Sequence, residues 1–168
     1  MNTLRLALFS LILLVGVAPA SQAHTFSTSF INLKAQADGL QVRWQLTFHD
    51  LLALNQSWMP EDRISGELLN QNLDKLQHFV QRRVLVSNEE ATCELELNNG
   101  SPWSTITFAR EQYIVLSMTS DCQPDSFKKL VIDGVWQELP DHKIIVEGDV
   151  LGNVPRHVLD QNTPQFTR

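Results

Sequence analysis

In the stretch GLQVRWQLTFHD, residues 39–50, apolar and polar positions alternate without a break. Leu40, Val42, Trp44, Leu46 and Phe48 fall on one face, and Gln41, Arg43, Gln45, Thr47 and His49 on the other. A period of two marks a half-buried strand. The preceding FINLKAQADG carries Ile31, Leu33, Ala35 and Ala37 at the same period, then Asp38-Gly39, a dipeptide favoured in two-residue hairpin turns. Pairing Ala37 with Leu40 sets Leu33 opposite Trp44 and Ile31 opposite Leu46, which gives the hairpin one continuous apolar face.

The pattern then breaks into DLLALNQSWMPEDRISGE, a connector with Pro60 and Gly66 and a short helical turn at Asp50 to Leu54. From Glu67 to about Arg83 the period changes: Leu69, Leu73, Leu76 and Val80 recur at steps of four, three and four, while Gln71, Asp74, Lys75 and Gln81 face away. This predicts one amphipathic helix. Strand-like runs follow in RVLVSN, ATCELELNN, STITFAR, QYIVLSMTS, KKLVIDGVW and HKIIVEG, and the tail VPRHVLDQNTPQFTR adds a last edge strand. The expected fold is α+β. It is mostly antiparallel β, a sandwich or a curved sheet whose strands are consecutive neighbours, with one helix inserted after an N-terminal β-hairpin.

The first 23 residues carry the three parts of an export signal: Arg5, an apolar run from Leu6 to Val17, and small residues up to Ala23. A run of about 12 residues is too short to span a bilayer, which takes about 20. Cuts after Ala20 and after Ala23 are both compatible with the small-residue rule; the second leaves no loose tail before the first strand. The expected organisation is therefore a cleaved signal over 1–23 and a single periplasmic or secreted domain over 24–168, with no membrane insertion after cleavage. Without the signal, 12 basic and 19 acidic residues leave a net charge of −7. That balance argues against nucleic acid and anionic lipid as partners.

Export places the two cysteines where disulfides persist. Cys93 shares parity with Leu95 and Leu97, and Cys122 continues the parity of Ile114, Leu116 and Met118, so both thiols point inward and a Cys93–Cys122 bond is expected.

No catalytic motif or cofactor cradle appears in the sequence, and a non-enzyme without cofactors is expected. Glu94 and Glu96 share an outward strand face, the ordinary place for solvated acids. Trp58, Trp103 and Trp136 suit a core as well as a ligand pocket. A chain beginning at His24 can chelate copper through its amine and ring, and a second histidine completes a three-nitrogen site. His49 shares the outward face with His24, making His24 and His49 the candidate metal ligands. The Asp38-Gly39 register, however, sets His49 opposite Thr28, about 13 Å along the strand from His24. His78 lies on the polar side of the helix, and His142 and His157 fall in or near loops.

The order of a signal, a histidine start, SFINLKAQADGLQVRWQLTFHDLLAL, a helix, ATCELEL, QYIVLSMTSDC and HKIIVEGDVLGNVPRHVLDQNTPQFT resembles the extracytoplasmic N-terminal domain of HupE/UreJ-type membrane proteins. That resemblance implies kinship with proteins that handle nickel for hydrogenase and urease maturation. Relatives often carry an Asp/Gly-rich, calcium-like loop before the helix; here NQSWMPEDRISG stands in its place, without the alternating oxygen ligands. The expectation is a stand-alone version of that domain, without the membrane helices that would carry transport. The leading functional expectation is a non-catalytic accessory module that binds an unknown protein, such as a membrane protein, through the outward hairpin face or the Trp58-Met59 connector. The alternative is a metal-binding protein using the mature N-terminal histidine.

Overall fold

The computed structural model describes residues 27–55, 57–59 and 64–168. The export signal and His24 lie outside the described residues. Strands β1 (Thr28–Gln36) and β2 (Gly39–Thr47) form the expected hairpin, with Ile31, Leu33, Leu40, Val42, Trp44 and Leu46 all withdrawn from solvent. Its register is displaced by two residues from the expectation: Ala35 pairs with Leu40, Leu33 with Val42 and Ile31 with Trp44, so Ala37 and Asp38 make the bend. Gly39 instead opens β2 with φ 146°, and a Cβ there would stand 2.0 Å from the Ser120 carbonyl oxygen of the neighbouring strand. Glycine at this position thus serves a close approach between strands. Because side chains alternate with period two, a slide of two leaves every residue on its expected face.

Helix α1 (Phe48–Ala53) continues directly from β2, with the Thr47 hydroxyl accepting the Asp50 N–H as its N-cap. The expected single helix is two, α2 (Gly66–Gln71) and α3 (Leu73–Arg83). Asn72 forms the joint, with φ −126° and ψ 34°, and its side-chain amide donates to the Leu68 carbonyl, a backbone acceptor that a continuous helix would have used. Helix α3 lies on the inner face of the hairpin, where Phe79 stacks on Trp44 with ring centroids 5.4 Å apart. Gln81 does not face away. Both Gln81 and Gln77 donate to the Leu95 carbonyl, and Gln77 also accepts the Leu97 N–H, so the helix supplies the hydrogen bonds that an edge would otherwise leave open.

Strands β3 (Val84–Ser87), β4 (Leu95–Leu97), β5 (Trp103–Phe108), β6 (Glu111–Ser120), β7 (Lys129–Ile132) and β8 (Lys143–Gly148) occupy the expected runs, followed by β9 (Arg156–Leu159) and β10 (Gln165–Thr167). The run KKLVIDGVW is strand only to Ile132; Gly134, with φ 64°, turns it into a short helix α4 (Val135–Glu138). Sequential neighbours do not always pair. A seven-stranded sheet has the order β4-β6-β2-β1-β8-β9, with β5 following β4 along the free side of β6, and a three-stranded sheet has the order β10-β7-β3. The β1–β8 pair is parallel and the other pairs are antiparallel, so the sheets are mostly antiparallel, as expected. Closing this parallel pair brings Ser27, Ser29 and His142 together from opposite ends of the chain.

The Cys93–Cys122 disulfide forms as expected, joining the connector before β4 to the end of β6. Closing a loop with a sequence separation of 29 stabilises a fold by about 3–4 kcal/mol in the chain-entropy view.

Candidate functional site

Polar residues converge inside the apolar core at the end of the β1–β8 pair. Ser29 shares the inward parity of Ile31 and Leu33 and is fully buried. Its hydroxyl receives the indole N–H of Trp44 at 3.1 Å and lies 2.9 Å from His142 Nε2. On the other side of the ring, Nδ1 is hydrogen-bonded to the Ser27 hydroxyl. The backbone fixes the same place: Lys143 N–H donates to the Ser27 carbonyl, and Trp136 Nε1 donates to the His142 carbonyl at 2.8 Å. Asp50, from the first turn of α1, completes the group with Oδ2 3.9 Å from His142 Nδ1.

Both ring nitrogens of His142 are hydrogen-bonded to serine hydroxyls. Ser29 accepts the Trp44 indole proton and keeps a second lone pair and its own proton, so either neutral tautomer of His142 satisfies the hydrogen bonds to Ser29 and Ser27. Burial pushes the His142 pKa below the ordinary 6.5, and the Asp50 charge opposes that effect. Asp50 is fully buried, yet among the described residues neither carboxylate oxygen has a hydrogen-bond partner. An unsatisfied buried carboxylate costs several kcal/mol, so this corner has one acceptor group more than its donors serve.

Serine, histidine and aspartate are the residue types of a hydrolytic triad, but their arrangement here does not present a nucleophile. Ser29 is sealed from solvent, with its oxygen already engaged by Trp44, and Asp50 stands beyond hydrogen-bonding distance from the ring. The sequence carried one sign of this corner that the pattern reading passed over, namely a serine at position 29 in the apolar register of β1.

The opposite face of the large sheet has a different character. Phe30, Ile145 and Val158 are register partners across β1, β8 and β9 and point away from the core. Phe30, Phe108 and Tyr113 form a three-ring cluster with centroids 5.8–6.4 Å apart. Phe108 is 56% exposed and Val158 49% exposed, the two largest such values among the exposed large hydrophobic side chains. Ala109 and Arg110 close the β5–β6 hairpin beside Phe108 with φ of 50° and 71°, a left-handed pair without glycine or asparagine. The Tyr113 hydroxyl donates to Glu111, and burial, then the Glu111 charge, raises its pKa.

Of the residues singled out from sequence, His24 lies outside the described residues, and His49 is exposed on the first turn of α1. Met59 is 3% exposed and belongs to the core, which removes it from any contact surface. Trp58 is half-buried, with its indole N–H donating to Asn55 and Lys75 over its ring. In the described part of the connector, residues 57–59, Met59 is therefore turned inward and Trp58 is held by Asn55 and Lys75. Trp103 donates to Asn70 and packs against the core, as Trp136 also does. Glu94 and Glu96 are exposed and line, with Asp38 and Asp121, a cleft of about 410 Å³. Among the described residues no helix is long and apolar enough to cross a membrane.

The chain matches no known protein-family model, and a search of characterised proteins finds no significant relative.

Proposed function

We propose that the chain is a non-catalytic, exported accessory module that binds another protein through the outer face of its seven-stranded sheet. The observation that carries this reading is the apolar row Phe30, Ile145 and Val158 with the exposed Phe108 beside it, on a face that alternation would otherwise fill with polar residues. The strained Ala109-Arg110 turn supports the same reading, since such backbone strain concentrates at contact sites. The disulfide supports export. Resemblance to the extracytoplasmic domain of HupE/UreJ-type proteins makes a membrane protein of metal handling the natural class of partner.

Site-specific photocrosslinking in cells tests it. A crosslinker at Phe108 or Val158 is expected to trap one discrete protein, which a crosslinker at the distant, exposed Gln123 does not trap. Identical products from all three positions, or none, would remove the reading.

A further inference from the structure

We propose that two copies of the chain associate through β5, each adding its open edge antiparallel to the other's, so that the two large sheets become one continuous sheet. The inference goes beyond the partner-binding reading and does not depend on it, because Ile145 and Val158 lie on β8 and β9, at the other margin of the sheet.

The free edge follows from the turn. Ala109 and Arg110 join β5 to β6 as a two-residue loop, so Phe108 and Glu111 are a hydrogen-bonded pair. Alternation then aims the N–H and C=O groups of Ser104, Ile106 and Phe108 at β6 and those of Trp103, Thr105 and Thr107 away from it. The Pro102 carbonyl, which accepts the Ser117 N–H, keeps that parity. Among the described residues β5 pairs with β6 alone, and Ser104, Thr105, Thr107 and Phe108 are exposed.

The other edges are protected. Gln77 and Gln81 occupy the edge of β4, while the Cys93 N–H to the Val86 carbonyl and the Ser87–Thr92 bridge occupy that of β3. Strands β9 and β10 are four and three residues long, and Arg156 stands on β9. By contrast β5 has six residues, WSTITF, with no charge, proline or glycine to deter another strand.

A second copy is the occupant that this edge fits. In a chain of net charge −6, no charged residue lies between Glu96 and Arg110, so two copies meet along β5 without bringing their acids together. A two-fold axis normal to the sheet keeps each face on its own side. Centred on Thr105, it sets Thr105 opposite its own copy, Trp103 opposite Thr107 and Ser104 opposite Ile106. Every backbone group that Trp103, Thr105 and Thr107 turn away from β6 is then matched, with a pair of threonine hydroxyls at the centre.

Sedimentation equilibrium of the exported chain over a range of concentrations tests the proposal, and the mass is expected to rise from one copy to two. Thr105→Pro removes an edge N–H without touching the bonds to β6, and Thr107→Lys places a charge on the edge; each is expected to weaken association at least about tenfold. Amide exchange needs no variant to fold. The Thr105 and Thr107 amides are expected to exchange at least about tenfold more slowly at dimer-forming concentration, while Ile106, bonded to β6, stays slow throughout. A single-copy mass at every concentration would overturn the proposal, as would a dimer that both variants leave unchanged. So would edge protection independent of concentration, which would mean that the chain covers β5 itself, or protection that arises only on adding membrane extract, which would assign the edge to a different protein.

Discussion

His142 Nδ1 and Asp50 Oδ2 lie 3.9 Å apart, with both side chains fully withdrawn from solvent and 91 residues between them in the chain. A neutral imidazole beside a carboxylate in a dry corner makes folding sensitive to pH, and the sign follows from linkage. Burial lowers the His142 pKa below 6.5 in the folded state, with Asp50 opposing. As pH falls from 6.5 toward that lowered value, the unfolded chain takes up a proton that the folded chain refuses. Stability is therefore full above pH 6.5 and declines below it. Urea midpoints at pH 7.5 and pH 5.5 are expected to differ in that direction, and the difference is expected to shrink in His142→Gln. Asp160 acts in a separate, lower window. Its hydrogen bond from Lys143, with help from the Asn162 and Thr163 backbone, lowers its pKa below 3.8, so what it contributes is lost only as pH falls below that value.

Trp44 and Phe79 join the middle of the large sheet to α3 by stacked, fully buried rings. Phe79→Ala removes that stack and leaves a cavity, and is expected to cost about 3–5 kcal/mol in chemical denaturation. The exposed Leu73→Ala on the same helix is expected to cost well under half as much.

Reducing the Cys93–Cys122 bond is expected to lower stability by about 3–4 kcal/mol, measured as urea unfolding with and without reductant. Because Cys93 is also held by its backbone N–H to the Val86 carbonyl, the reduced protein is expected to keep its far-ultraviolet circular dichroism below the transition.

Gly39 stands where any side chain meets the Ser120 carbonyl, whereas Gly100 has open space around it. Gly39→Ala is expected to destabilise by more than about 1 kcal/mol and Gly100→Ala to be close to neutral, in paired thermal melts.

The β5–β6 turn gives the opposite sign. Ala109 and Arg110 occupy left-handed backbone that costs a residue with a Cβ about 1 kcal/mol. Ala109→Asn is expected to raise stability by a few tenths to about 1 kcal/mol in denaturant unfolding while leaving Phe108 in place.

The residue pattern by itself determined the local features of this protein. It placed the alternating faces of β1 and β2, the apolar stripe of Leu69, Leu76 and Val80 (Leu73, expected in the same stripe, is exposed), most of the later strands and the inward parity of Cys93 and Cys122. These depend on periods of two and 3.6, which are local quantities written directly in residue order. Even the displaced hairpin register kept every face correct, because a slide of two is invisible to a period of two. Tertiary structure decided the rest. The parallel pairing of β1 with β8, the break at Asn72, the glycine-free turn at Ala109-Arg110 and the meeting of Ser27, Ser29, Asp50 and His142 all depend on contacts between distant segments. No period encodes such contacts. A serine in an apolar register and a histidine in a loop carry no shared signal along the chain, and only the packing of the strands around them makes the two a pair.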